Sequence, residues 1–189
     1  GALQVHNDYE RFVPELFACN VFSIATEGKD LHYGAIGVPV EQWGPWRISV
    51  ARHSERSEES LTLQGRDPST PLRSAQGDGM AQGDGARQGL HYVKQSLQSL
   101  LRPTVILDIL AHFILFAADK QKRRLKIVCR YQQYEAANMI VERVLAGWPR
   151  KGLIWHFQGS GKSLLMIFAA QKLRLNPAMR NPAVLIVVD

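Results

Sequence analysis

The sequence predicts a mixed α/β chain that ends in the opening βαβ unit of a phosphate-binding domain. Three observations predict it. A glycine-rich octapeptide, His156-Phe157-Gln158-Gly159-Ser160-Gly161-Lys162-Ser163, lies between two apolar runs of strand length, and residues with an apolar face at helical spacing separate it from the second run. Gly152-Leu153-Ile154-Trp155 is the first run and Ala183-Val184-Leu185-Ile186-Val187-Val188 the second. Leu164, Leu165, Ile167, Phe168, Ala169 and Leu173 form the helical face, and Asn176-Pro177 ends it. A right-handed crossover would place the two strands parallel in one sheet, with the loop at its carboxyl edge.

The loop has the residue types that polyphosphate binding needs. Gly159 and Gly161 let the backbone curl until successive N–H groups face phosphate oxygens, while the helix behind presents its positive end. Lys162 is placed to reach the β/γ-phosphates and the Ser163 hydroxyl to ligate Mg²⁺, with Ser160 and Gln158 completing the cradle. ATP with Mg²⁺ is the cofactor set these residues imply. One position departs from the general G-x-x-x-x-G-K-[ST] form: His156 stands where the first glycine is expected. Motors of the helicase type relax that position more often than small kinases do.

Taken in order, residues 1–48 contain two strand-like stretches, Phe17 to Ile24 and Tyr33 to Val40, joined across Glu27-Gly28-Lys29-Asp30 as a hairpin. Trp43-Gly44-Pro45-Trp46 closes this segment with two aromatics expected to pack on it. Residues 49–89 are rich in Ser, Gln, Gly, Arg and Asp and repeat Ala-Gln-Gly-Asp-Gly at 75–79 and 81–85, a composition expected to be too polar to order. Residues 90–150 are expected to be connecting helices. Val93, Leu97, Leu100 and Leu101 mark one. Pro103 opens a second whose apolar face would run from Val105 through Ile109 and Phe113 to Ile114 and Phe116. A third, Gln133 to Ala146, would bury Tyr134, Ala137, Val141, Val144 and Leu145 and stop at Gly147. Residues 151–189 hold the loop and its flanking strands.

Composition narrows the setting. No uninterrupted apolar run reaches membrane-spanning length, and the start Gly-Ala-Leu-Gln-Val-His lacks the pattern of a signal peptide. Cys19 and Cys129 have no second thiol or His at metal-binding spacing and read as buried reduced thiols, which suits the cytoplasm. The net charge of +6 is unevenly placed: from Asp119 to Asp189, thirteen Lys and Arg face four acids. A basic nucleotide-binding region points to a polyanionic partner, nucleic acid first, although the Lys120 to Lys126 cluster reads equally well as a solvated face.

Several segments together resemble one family. Glu15-Leu16-Phe17-Ala18-Cys19-Asn20, Thr26-Glu27-Gly28, Trp43-Gly44-Pro45-Trp46-Arg47, Arg130-Tyr131-Gln132-Gln133-Tyr134-Glu135-Ala136-Ala137, Trp155 through Leu164 and Val187-Val188-Asp189 are similar, in order and spacing, to the restriction subunit of type I restriction-modification enzymes. The resemblance implies a nuclease of the PD-(D/E)xK type followed by a superfamily 2 helicase-like motor that translocates double-stranded DNA with ATP. It also implies methyltransferase and specificity subunits as partners. On this reading, 1–48 ends the nuclease domain and 151–189 begins the first RecA-like motor domain, with Gly159 to Ser163 as motif I. Gln133 resembles the glutamine that reads adenine in related motors, and Gln132 is its close competitor. The nuclease carboxylates are expected upstream of Gly1, and no DExH box follows the loop, so these residues alone are expected to be catalytically silent. Two other readings are a stand-alone P-loop ATPase, with Asp189 as its only candidate second carboxylate, and a non-catalytic decayed fragment.

Overall fold

The computed structural model describes residues 1–47, 82–118, 122 and 124–187, with backbone alone over 82–88. Among them the architecture is mixed α/β: two small antiparallel sheets and four long helices around one core.

The chain begins with two short helical pieces, α1 (Ala2–Gln4) and α2 (Glu10–Phe12), joined by a π-helical turn over Val5–Tyr9. Glu10 fixes them to the body of the protein, its carboxylate accepting from Gly37 N–H at 3.1 Å and meeting His6 Nδ1 at 2.9 Å. Strand β1 (Phe22–Thr26) pairs with β2 (Leu31–Ala35) across the expected turn, where Gly28 takes a left-handed φ of 86°. The hairpin is therefore where the residues put it, but its strands run two residues closer to the turn and stop short of the expected outer ends. Phe17, the expected start of the first strand, instead ends a 3-10 turn over Pro14–Phe17, whose opening proline has its φ fixed by the ring. A short third strand, β3 (Gly44–Pro45), joins the far side of β2. Gly34 in β2 lies against the Trp43 ring, where any Cβ would collide with the indole.

Most of the polar stretch 49–89 lies outside the described residues. Its last part is helical, contrary to the expectation from composition: α3 runs Gln82–Leu100. Buried Val93, Ser96 and Leu100 anchor the later turns, and each residue added to an existing helix gains a hydrogen bond without a new nucleation cost. Pro103 opens α4 (Pro103–His112) as expected. The predicted helical face then breaks, because Ile114–Ala118 is strand β4, paired antiparallel with β5 (Arg124–Val128). Bulky Ile114 and Phe116 suit a pleated surface better than a helix, and Ile127 and Val128 supply the partner. Helix α5 (Tyr131–Ala146) ends at left-handed Gly147, and α6 (Lys162–Leu175) ends at Asn176, whose side chain accepts from Ala178 N–H. The stripe expected on α5 is buried at Ala137 and Val141, but Val144 and Leu145 are exposed.

One aromatic seam crosses the core. Phe22 meets Tyr33, Tyr33 meets Trp46, Trp46 meets Tyr131 and Tyr134, Tyr134 meets Phe113, and Phe113 meets Phe168, all at centroid distances of 4.9–5.9 Å. Edge-on and tilted contacts of this kind add about 0.5–1.5 kcal/mol each beyond the area they bury. The Tyr33 hydroxyl donates to Cys129 O at 2.6 Å, and burial pushes the Tyr33 phenol well above its ordinary pKa. Segments 1–47, 89–147 and α6 thus share a single buried cluster.

Two expectations are corrected here. The runs flanking the loop, 152–155 and 183–187, are not strands, and both described sheets are antiparallel. A strand holds its shape through a hydrogen-bonded neighbour, and no described strand lies beside either run. The second run keeps a trace of strand geometry: Val184 and Ile186 are 45% and 41% exposed, while Leu185 and Val187 are 88% and 81% exposed. That two-residue alternation turns Val184 and Ile186 toward Ile167 and Ala170 of α6 across a cavity of about 440 Å³. Of the thiols, Cys129 is buried and its pKa raised, first by that burial, but Cys19 is exposed beyond the 3-10 turn; both are free. No described helix is long and apolar enough to cross a membrane.

Candidate functional site

The loop forms at the N-terminus of α6, as its residues require. Gly159 and Gly161 both adopt φ of 81°, a left-handed conformation that residues with a Cβ enter at a cost of about 1–2 kcal/mol. Ser160 N–H donates to Phe157 O at 3.3 Å, closing the turn, and Leu165 N–H donates to Gly161 O at 3.1 Å, starting the helix. No side chain caps α6, so its first amides remain as donors for a ligand.

The side chains divide into two groups. Gln158, Lys162 and Ser163 are exposed, while Ser160 is buried and its Oγ has no hydrogen-bond partner. Lys162 Nζ donates to His156 O at 3.3 Å and Phe157 O at 3.1 Å, so the ammonium is folded back over the loop it would share with phosphates. These features fit a polyphosphate with its metal ion: uncapped helix amides, two left-handed glycines, an orphaned buried hydroxyl and a nearby ammonium. When bound, the nucleotide and Mg²⁺ would supply the anion and the Lewis acid, with Ser163 as the hydroxyl ligand.

Gln133 is the predicted site residue whose surroundings were least legible. It is only 2% exposed and lies beneath the loop. Its Nε2 donates to Gly161 O at 3.0 Å and Ser160 O at 3.4 Å, and its Oε1 accepts from Arg130 N–H at 2.8 Å. That last bond satisfies the N-cap amide at the start of α5. A Cβ on Gly161 would collide with Gln133 Nε2, so the glycine is fixed by the glutamine as well as by its own φ. The amide that resembles an adenine reader is engaged on both sides by backbone, while Gln132 beside it is half-buried.

Sequence reasoning missed the brace at the other end of α6. Lys172 Nζ donates to both Asp108 oxygens at 2.6 Å and to Asn138 Oδ1 at 2.5 Å, and lies 5.3 Å from the Phe113 ring centre. His112 Nδ1 is 2.8 Å from Asp108 Oδ1. Burial acts to raise the Asp108 pKa, but the hydrogen bonds and charges of Lys172 and His112 outweigh it and hold the carboxyl below its ordinary value. Tyr134 nearby is pushed up to about 12 by burial and then by the Asp108 charge. Lys172 sits among polar residues at the end of α6 and only the fold places it opposite Asp108, 64 residues away.

The loop has the form of a phosphate-binding loop, and comparison with known proteins finds an ATPase family over the same residues. Residues 132–189, from Gln132 through the loop, match the SWI2/SNF2 ATPase family. Over its length the chain is homologous to type I restriction enzyme endonuclease subunits. It is 27% identical to the HindI subunit of Haemophilus influenzae over 99% of this chain and 16% of that protein. Two proteins of Methanocaldococcus jannaschii, described as the MjaVIIP and MjaVIIIP type I restriction enzyme endonuclease subunits, are 38% and 33% identical over 53% and 51% of this chain and 10% of each relative. The chain therefore spans about a sixth or less of these curated relatives. No solved structure matches it.

Proposed function

We propose that this chain is the stretch of a type I restriction subunit in which the nuclease region joins the ATP-driven motor, and that its own biochemical task is to bind ATP phosphates at motif I. The observation that carries the reading is the loop Gly159 to Ser163, with its two left-handed glycines, set at the uncapped N-terminus of α6. In this reading the amides of the loop and of the first turn of α6 hold the phosphate oxygens. Lys162 turns from the carbonyls of His156 and Phe157 to the β/γ-phosphates, and Ser163 orients Mg²⁺.

The parent activity that goes with this placement is ATP-dependent translocation and cleavage of double-stranded DNA in the cytoplasm, alongside methyltransferase and specificity subunits. The family match at the loop and the names of the relatives support it. The shared core ties the β1–β2 hairpin to the motif I helix, which suits a junction between nuclease and motor. Lys162→Ala provides the test. In a full-length restriction subunit carrying this sequence, it should abolish ATP binding and DNA cleavage while leaving subunit assembly intact, because the side chain is exposed and outside the core. Cleavage at the wild-type rate would show that this loop does not drive the motor.

A further inference from the structure

Two loop carbonyls rest on the buried amide of Gln133. Gly161 O accepts from Leu165 N–H at 3.1 Å and from Gln133 Nε2 at 3.0 Å, so helix and glutamine set its direction together. Ser160 O lies 3.4 Å from the same nitrogen. The peptide units that carry these oxygens end in Lys162 N–H and Gly161 N–H, and both are trans. A trans peptide is planar, with its N–H pointing opposite to its C=O. Pinning the oxygens on Gln133 therefore turns the two N–H groups away from it. Lys162 N–H is among the amides that the uncapped start of α6 leaves for a ligand.

The glutamine is itself fixed from further back. Its Oε1 accepts from Arg130 N–H at 2.8 Å, and the carbonyl of that same peptide unit, Cys129 O, accepts from the Tyr33 hydroxyl at 2.6 Å. A run of hydrogen bonds thus leads from β2 to the loop with every link donating in the same direction, the arrangement in which such bonds polarise one another. We infer that Gln133 is a positioning residue for phosphate binding, which aims the N–H groups of Gly161 and Lys162 at phosphate oxygens and leaves the base unread. The inference rests on the ATP reading above and deepens it. Reading adenine takes a free N–H for N7 and a free oxygen for the N6 amino group. Nε2 already serves two loop carbonyls, Oε1 serves the Arg130 amide, and the residue is 2% exposed. Phosphate approaching the N–H side of these peptide units leaves each of those contacts in place.

The test is an NMR titration of this 189-residue chain with magnesium ATP, magnesium GTP and magnesium tripolyphosphate, the last of which has no base. Wild type, Gln133→Met and Lys162→Ala are compared, with a thermal melt of each to confirm folding. Methionine keeps the length of the side chain without its hydrogen bonds. A well-aimed hydrogen bond to a charged group is worth about tenfold or more in affinity, so Gln133→Met should weaken all three ligands about tenfold and leave the ratio of ATP to GTP binding unchanged. In wild type, the Gly161 and Lys162 amide signals should move alike with ATP and tripolyphosphate, and the Gln133 side-chain amide should give the same signal in both complexes. That readout needs no variant and decides the matter even if Gln133→Met does not fold. A loss confined to ATP, or a Gln133 signal that differs between the ATP and tripolyphosphate complexes, would make the glutamine a base reader and overturn the inference. Gln133→Met binding all three like wild type would overturn it too, while weakened binding by Lys162→Ala would leave the loop assignment standing. If wild type shows no binding, or Lys162→Ala matches it, the loop assignment fails and this inference with it.

Discussion

Along the aromatic seam from Phe22 to Phe168 every ring is buried or half-buried against another, whereas the loop at the front of α6 leaves Phe157, Gln158, Lys162 and Ser163 in solvent and two polar atoms inside without partners. Both regions use the same helix. The back of α6 is held by Phe168 in the seam and by Lys172 in its brace, so the front can keep left-handed glycines and unsatisfied groups without losing its place. The difference teaches how one helix can combine a fixed back with an open front: ring contacts and the Lys172 brace hold one end, while two of the four unpaired buried polar atoms among the described residues fall in the loop at the other.

Breaking the seam should have the largest effect. Trp46 is fully buried, touches Tyr33, Tyr131 and Tyr134, and donates from Nε1 to Ser99 Oγ at 3.3 Å. Trp46→Ala should cost about 3–5 kcal/mol in urea denaturation and unfold the hairpin and helices together. A separate early transition for the hairpin would show that the seam does not unite the segments.

The next effect sharpens the boundary between the regions, where Gln133 meets the loop. Gly161→Ala should cost about 2–3 kcal/mol, part from the left-handed backbone and part from collision with Gln133 Nε2. Gln133→Ala alone should cost about 1–2 kcal/mol through its lost hydrogen bonds to Arg130, Ser160 and Gly161. Combined, they should cost less than their sum by at least about 0.5 kcal/mol, since removing the amide also removes the obstacle. Strict additivity would mean that Gly161 serves only its own φ.

The two regions also differed in how far the residues alone disclosed them. Loop, helix α6, its stop at Asn176-Pro177, the β1–β2 turn and the Gly147 end of α5 were all legible, because glycine, proline and helical spacing act locally. The β4–β5 hairpin was not, since Ile114 to Phe116 continues a helical apolar pattern and only pairing with β5 decides otherwise. Strand character at 152–155 and 183–187 was overread, for a β-branched run states a preference that a neighbouring strand must realise. The partners of Gln133 and Lys172 were invisible for a simpler reason. A polar side chain on a helix gives no sign of which distant backbone or carboxylate it will meet.

The smallest expected effect lies in the brace, and pH resolves it. Asp108 is held below its ordinary pKa, so its contribution is fully present above the usual carboxylate value of about 4 and is lost as pH falls through the lower folded value. Lys172→Met should cost about 1–2 kcal/mol at neutral pH, between the worth of exposed and buried ion pairs. Its acid limb should be flatter than wild type. The alkaline limb tests the same contact from the other side. Tyr134 is pushed up to about 12, first by burial and then by the Asp108 charge, so its neutral form contributes stability that is present below the ordinary phenol value of about 10 and lost as pH rises through the folded one. Asp108→Asn removes the second cause and leaves the first. An ultraviolet titration of tyrosinate should then move Tyr134 partway back toward its ordinary value, and a full return would show that the carboxylate, not burial, had set it.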